Sequence, residues 1–389
     1  MIAIKNGLIV TPEEIIEGKT ILIEDSVISD ICEWNGEADK VIDAHNRYII
    51  PGFIDVHSDK IEQFILPRPT AQIDFELALK ECERELLNLG ITTIYHSFSL
   101  YKDEFFGKSP LRTRESVEKM ARLVQDIHER NHLIHHRFHL RIEIDNLAAY
   151  DIAKALIEEH LIHEISFMDH SPGQGQYRDL QIYQETIEKH HGKEIEEEGI
   201  EKILEYHKEK EMLSFAQLKE LCELAHKYEI TVASHDDDTI KKLQINKHIG
   251  VDISEFPINE KTAKAAHDMG FYTVVGAPNV LLGGSHSGNM SAADAICADC
   301  ADIICSDYFP QAILHSIFIM HKKYNCALPG LVNRATLNPA KAMRIDDKYG
   351  SIEAGKKADL LIVDELDHYP VITHILVDGR TTSRVEYRR

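Results

Sequence analysis

Between about residue 50 and residue 344, short apolar runs alternate with amphipathic stretches, and no other feature restricts the fold so tightly. The runs are IIPGFIDVH, ITTIYHSF, HLRIEID, EISFMDH, ITVASHDD, VDISEFP, FYTVVGAP and ADIICSD. Each has the length and the Ile, Val and aromatic content of a strand. The segments between them carry helical periodicity, as in FELALKECERELLNLG with Gly90 as its stop. Strands that alternate with helices imply a parallel sheet with right-handed crossovers. Eight of them predict an α/β fold closed into a TIM-type (β/α)8 barrel over residues 51–344.

Both chain ends break this rhythm in the same way. AIKNGLIV, KTILIEDSVISDI and KVIDAHNRYII near the start are strand-like runs punctuated by turn pairs. SIEAGKKADLLIVD, VITHILVDGR and TSRVEYRR near the end read alike. Residues 1–50 and 345–389 are therefore expected to join in one small β-sandwich domain beside the barrel. A further interruption near 180–215, YQETIEKHHGKEIEEEGIEKILEYHKEKE, reads as a charged helical insert in which His190 and His191 face solvent.

In such a barrel the C-terminal strand ends converge on one mouth, where active sites are built. Five of the predicted strands bring metal-binding residue types there. The first ends in Asp55-Val56-His57-Ser58-Asp59, the third carries Glu143 and the fourth ends in Asp169-His170. The fifth ends in His235-Asp236-Asp237-Asp238 and the eighth in Asp307. Alternation along a strand places His57 and Asp59 on one side, within reach of one ion. Imidazoles and carboxylates crowded together would repel or titrate abnormally without a cation between them. Nitrogen and oxygen donors suit zinc, manganese or iron better than a thiolate-seeking metal. One such residue alone would more simply be a hydrogen-bonded core histidine; the joint pattern points to a metal. His132, His135, His136 and His139 lie upstream of their strand's C-terminal end and are expected to face away from the mouth.

The chain carries 65 acidic and 43 basic side chains among 389 residues, a formal charge of −22. Nucleic acid and anionic membrane both need a basic footprint and are excluded as non-specific partners. A small anionic substrate needs only a local cationic pocket. Seven scattered cysteines form no disulfide framework and fit a reducing, cytoplasmic setting. The Cys297-Cys300 pair reads as small buried apolar side chains, because no second pair stands at zinc spacing. No apolar run approaches the roughly 20 residues of a membrane helix. MIAIKNGLIVTPEE lacks the basic region, apolar stretch and cleavage site of a signal peptide.

PGFIDVH with a second candidate ligand two positions on, the flanking N-terminal strands, and NPAKAMRIDDKYGSIEAGKKADLLIVD together resemble the amidohydrolase superfamily across essentially the whole chain. PGFIDVHSDKIE, SFMDHSPGQGQYRD, ASHDDD, GAPNVLLGGSHSGN and SDYFP resemble one branch of it. That branch contains α-D-ribose 1-methylphosphonate 5-triphosphate diphosphatase, of the carbon–phosphorus lyase pathway. The resemblance implies a divalent metal centre of two ions per chain, zinc first, with manganese or iron as alternatives. It implies His57, Asp59, His170 and His235 as ligands. Glu143 would fill the bridging position held by a carboxylated lysine in many relatives. Asp307 would be the carboxylate of the last strand, both ligand and general base. Two departures stand out: Leu282 occupies the position before Gly-Gly where a basic residue is expected, and an expected Trp is missing after Arg68-Pro69.

By this resemblance the reaction is hydrolysis of the ribosyl methylphosphonate triphosphate to its 5-phosphate and pyrophosphate. Gly283, Gly284, Ser285, His286 and Ser287 would cradle phosphate, because glycines let backbone N–H groups approach closely and serine hydroxyls donate. Arg68 and Arg178 would add positive charge. The competing expectations are an amidohydrolase or deaminase acting on a cyclic amide, and a barrel that only binds. A homo-oligomer is a reasonable assembly.

Overall fold

The computed structural model describes residues 1–100, 109–169, 211–284 and 289–388. The eight expected strands are present and lie side by side in chain order. They are Phe53–Ser58, Ile91–Leu100, His135–Glu143, Glu164–Met168, Thr231–His235, Ile253–Glu255, Tyr272–Gly276 and Ile303–Cys305. Every neighbouring pair is parallel. The fold is the TIM-type barrel, with the first and eighth strands joined by a single parallel bridge, Ser58 to Asp307. At that seam Asp307 N donates to His57 O and Asp59 N donates to Asp307 O, both at 3.0 Å. Lower in the barrel the backbone of 334–335 bridges the gap, accepting from Ile304 N at 2.8 Å and Ile54 N at 2.9 Å.

Strand parity sorts the side chains. In the third barrel strand Phe138, Leu140 and Ile142 join the apolar layer under the helices. His135, Arg137, His139, Arg141 and Glu143 occupy the alternate positions. In the second strand Ile94, His96 and Phe98 share the outer parity, while Tyr95 packs inside with Ile54, Val56, Ala233, Ile253 and Val274. The interior is thus packed with side chains and is not a pore. Outside it, helix Phe75–Asn88 is capped by Asp74, whose side chain accepts from Glu76 N and Leu77 N, and it buries Leu79, Cys82 and Leu86 against the barrel. Gly90, just beyond, has φ +85°, and a Cβ there would lie 2.7 Å from both Ile372 and Leu361. That glycine serves the turn and also the close packing of the barrel on the C-terminal strands.

The two chain ends share a sandwich. A four-stranded sheet holds Ile2–Lys5, Thr20–Glu24, Val27–Cys32 and Lys40–Asp43. A six-stranded sheet pairs Tyr48–Pro51 with Leu360–Leu366, and adds Tyr369–Val377 and Arg380–Arg384 from the C-terminal end. Ile4, Ile21, Ile28, Ile49, Leu360 and Ile362 fill a core separate from the barrel's. All seven cysteines are free thiols; Cys300 is buried as expected, whereas Cys297 is exposed at the end of its helix, which corrects the reading of both as buried. Among the described residues no helix is long and apolar enough to cross a membrane. Most of the charged insert lies outside the described residues.

Candidate metal centre at the barrel mouth

The first barrel strand delivers His57 and Asp59 to the mouth after a register shift between Asp55 and Ser58. Such irregularities re-aim side chains at strand ends. His57 is fully buried, and its Nδ1 lies 2.9 Å from Glu255 Oε1 at the end of the sixth strand. Asp59 accepts from Arg141 Nη1 through both carboxylate oxygens, at 2.9 and 3.1 Å. His235 closes the fifth strand with Nδ1 2.8 Å from Asp236 Oδ2, and Lys242 Nζ donates to its carbonyl at 3.0 Å. Asp307 follows the eighth strand, tied by the backbone bonds at the seam.

Three residues at these strand ends hold left-handed backbone: Asp236 at φ 53°, Phe256 at φ 53° and Asp307 at φ 56°. Such conformations are costly for non-glycine residues and persist where surrounding structure imposes them. They turn the strand ends inward over a cavity of about 240 Å³ lined by His57, Asp59, Arg141, His235 and Asp307 among others.

His57, Asp59 and Asp307 each present a donor atom within 4.8 Å of the others, and His57, His235 and Glu255 form a second such group. This mixed nitrogen and oxygen donor set fits a divalent cation. Glu255 Oε2 is buried without a hydrogen bond, an oxygen that a cation would satisfy. A carboxylate on Nδ1 is the kind of contact that would orient the His57 imidazole and leave its Nε2 available to a cation.

Electrostatics agree with this crowding. Burial raises the Asp307 carboxyl, and Asp59 beside it adds to the rise, against the opposing pull of His57 and Arg141. Burial likewise lifts Asp55 to about 6, although Ser306 donates to it. Burial would also raise Glu255, but His57, His139 and His235 outweigh it and hold that carboxyl well below its usual range.

The sequence-derived residues divide into groups. His57, Asp59, His235 and Asp307 meet around the cavity. Glu143 is buried at the end of the third strand, two positions beyond Arg141 on the same parity. Arg68 is exposed in the loop after helix Lys60–Ile65. Gly283, with φ +73°, and Gly284 end the short helix Ala277–Leu282, and a Cβ on either would meet open space. His170, Arg178, Ser285, His286 and Ser287 lie outside the described residues. Asp237 serves structure: it accepts from Ser234 Oγ and Ser254 Oγ, each at 2.6 Å, and from Asn246 Nδ2 at 2.8 Å.

A second expectation is corrected. His139 does not face away from the mouth. Its ring centroid is 5.2 Å from that of His57, and Nε2 is 2.9 Å from Ser166 Oγ, inside the barrel just beneath the cavity. The reason is parity: His139 shares the inward side with Arg141 and Glu143, whereas His136 points out.

Two residues of the mouth were missed from sequence, Arg141 and Glu255. A signal for Arg141 was available, since Glu143 had been placed inward and a period of two carries that side back to 141. Glu255 stands in the run VDISEFP at a strand's C-terminal end, the same kind of position as His57, His235 and Asp307.

Comparison with known proteins follows the same lines. The profile of the Amidohydrolase family matches residues 48–383. The α-D-ribose 1-methylphosphonate 5-triphosphate diphosphatase of Escherichia coli (strain K12) is 29% identical over 386 residues, 97% of this chain and 99% of its own. An imidazolonepropionase of Picrophilus torridus is 24% identical over 393 residues, 93% of this chain and 89% of its own. Among solved structures, the N-acetylglucosamine-6-phosphate deacetylase of Pasteurella multocida superposes with a TM-score of 0.64 at 14% identity, covering 98% of this chain and 99% of its own. That last likeness is one of fold.

Proposed function

The chain belongs to the amidohydrolase family, and we propose that it is a metal-dependent diphosphatase that cleaves α-D-ribose 1-methylphosphonate 5-triphosphate to the 5-phosphate and pyrophosphate. The observation that carries this reading is the convergence of His57, Asp59 and Asp307 within 4.8 Å beside a cavity that also holds a buried arginine. The 29% identity to the Escherichia coli diphosphatase, spread over nearly both full lengths, supports the choice of reaction.

In this reading His57, through Nε2, together with Asp59, His235 and Asp307 would supply protein ligands for two divalent ions, zinc first. His170 and Glu143 complete the ligand set. When bound, the ions would lower the pKa of a water toward neutrality and offset phosphoryl charge. Glu255 fixes the His57 ring through Nδ1. Asp307 accepts the proton of the attacking water and returns it to the departing pyrophosphate, a role that requires hydrogen-bond reach to both. The sandwich of residues 1–50 and 345–389 stands as one domain beside the barrel of 51–344. The seven free thiols fit a cytoplasmic enzyme.

The test is product detection with metal-loaded protein. Pyrophosphate release from the ribosyl phosphonate triphosphate is expected, with neither ring opening of cyclic amides to carboxylates nor ammonia release from nucleobases. Turnover of a cyclic amide with no pyrophosphate from any triphosphate would overturn the reading in favour of amide hydrolysis or deamination. Metal analysis well below one ion per chain would point to a barrel that only binds.

A further inference from the structure

We infer that Arg141 forms an oxyanion subsite in the mouth, gripping a phosphoryl group of the substrate beside the metal ligands. This rests on the diphosphatase reading for the identity of the anion. Four observations carry it. Arg141 is 9% exposed, yet it lines the mouth cavity. Among the described lining residues it is the only Arg or Lys, while Asp59, Asp236 and Asp307 contribute carboxylates. On a chain of net charge −22, a polyanion entering this cavity needs a cation at the wall.

The third observation is how the guanidinium is used. Nη1 is shared between the two oxygens of Asp59, and Nε donates to Met168 Sδ at 3.0 Å, a weak acceptor. Nη2 makes no hydrogen bond to the described protein and is not among the buried unsatisfied atoms. With Nη2 uncommitted and Nε on a weak sulfur acceptor, the Nε–Nη2 edge is shaped to bind phosphate through two parallel bonds once Nε leaves Met168.

The fourth is the position of its partner. Asp59 belongs to the donor group with His57 and Asp307. A cation held by that carboxylate would compete with Arg141 for the same oxygens and would leave the guanidinium freer to take an anion. Asn279 and Asn289, also on the cavity wall, add neutral donors. The other arginine nearby, Arg112, is paired with Glu62 at 3.2 Å and does not line the cavity.

The experiment titrates inorganic pyrophosphate by calorimetry into metal-loaded wild type, Arg141→Gln and Arg141→Lys, with metal content measured for each. Arg141→Gln is expected to weaken binding about 10- to 100-fold at unchanged metal content, the range for losing a charge-assisted hydrogen bond. Arg141→Lys keeps the buried charge that Asp59 needs, so it preserves the fold if the glutamine variant does not. It loses the planar fork and is expected to bind about tenfold more weakly. Wild-type affinity in both variants would overturn the inference. Loss of metal in step with loss of pyrophosphate would also overturn it, since Arg141 would then only hold Asp59 in place. Failure of the reaction assignment is separable: wild type would cleave no triphosphate, while loss of pyrophosphate binding in Arg141→Gln would still uphold the subsite.

Discussion

At the mouth of the barrel, His57 is buried 2.9 Å from Glu255, with Asp59 and Asp307 close by and a cavity above. On the outer wall of the same barrel, His96 and His136 are equally buried, with His96 Nε2 2.9 Å from His136 Nδ1. His136 Nε2 in turn lies 3.2 Å from Glu83 Oε2, and His128 Nε2 accepts from His136 N at 3.1 Å. Both regions spend several histidines and buried carboxylate on one small volume. The mouth has more carboxylates than imidazoles, open space, and an arginine. The outer stack has one carboxylate, no lining of the mouth cavity, and imidazoles kept neutral. Burial, and then His136, holds His96 well below its normal value. Burial chiefly, with His136 and His132, lowers His128 to about 4. Excess anionic donors around space suit a cation; a chain of neutral imidazoles ending on one glutamate suits a structural wedge between strand and helix.

Substitutions break this contrast in graded ways. Asp307→Asn is expected to lower kcat by about 10²- to 10⁴-fold, the span of a general base, while bound metal stays close to wild type. Parallel loss of metal would make it primarily a ligand. Glu255→Gln keeps the shape but removes the charge behind His57, and metal affinity should fall about 10- to 100-fold in a chelator titration. An unchanged affinity would remove Glu255 from the centre.

On the other side of the comparison, Glu83→Ala leaves His136 and the Leu133 N–H without their acceptor. Denaturant unfolding should show a loss of about 2–4 kcal/mol, with metal content and kcat of the folded protein unmoved. A fall in kcat without a fall in stability would mean the wedge serves catalysis.

The smallest effect is one of pH. His128 titrates near 4 in the folded chain and near 6.5 when unfolded. The unfolded state therefore takes up its proton first as pH falls. The stabilisation is complete above about 6.5 and is lost between there and about 4, with a slope of at most about 1.4 kcal/mol per pH unit. Unfolding at pH 7.5 and 5.0 in wild type and His128→Gln isolates it: the variant should lose less stability across this interval, while the other buried histidines keep the remainder.

Much of this was legible in the sequence. The eight strands and their order follow from apolar runs whose lengths and flanking turns are local properties. His57, Asp59, His235 and Asp307 meet at one mouth because a parallel barrel sends every strand's C-terminal end to one place. The direction of His139 was misjudged because position along a strand was weighed and parity was not. Arg141 was overlooked for the same reason, although both residues follow from Glu143 by twos.

What the sequence determined by itself is the rhythm: strand, helix, strand, and ligand types at the strand ends, with both termini sharing a sandwich. These depend on periodicity and turn chemistry within a few residues. Only the tertiary structure decided the pairs. Glu255 meets His57 across 198 positions of chain, and Arg141 meets Asp59 across 82. Such meetings depend on how the first strand shifts register and how the sheet closes onto its eighth member, and no local pattern encodes them. The same closure separates one group of histidines facing a cavity from another wedged under a helix, a division that the count of 23 could not make.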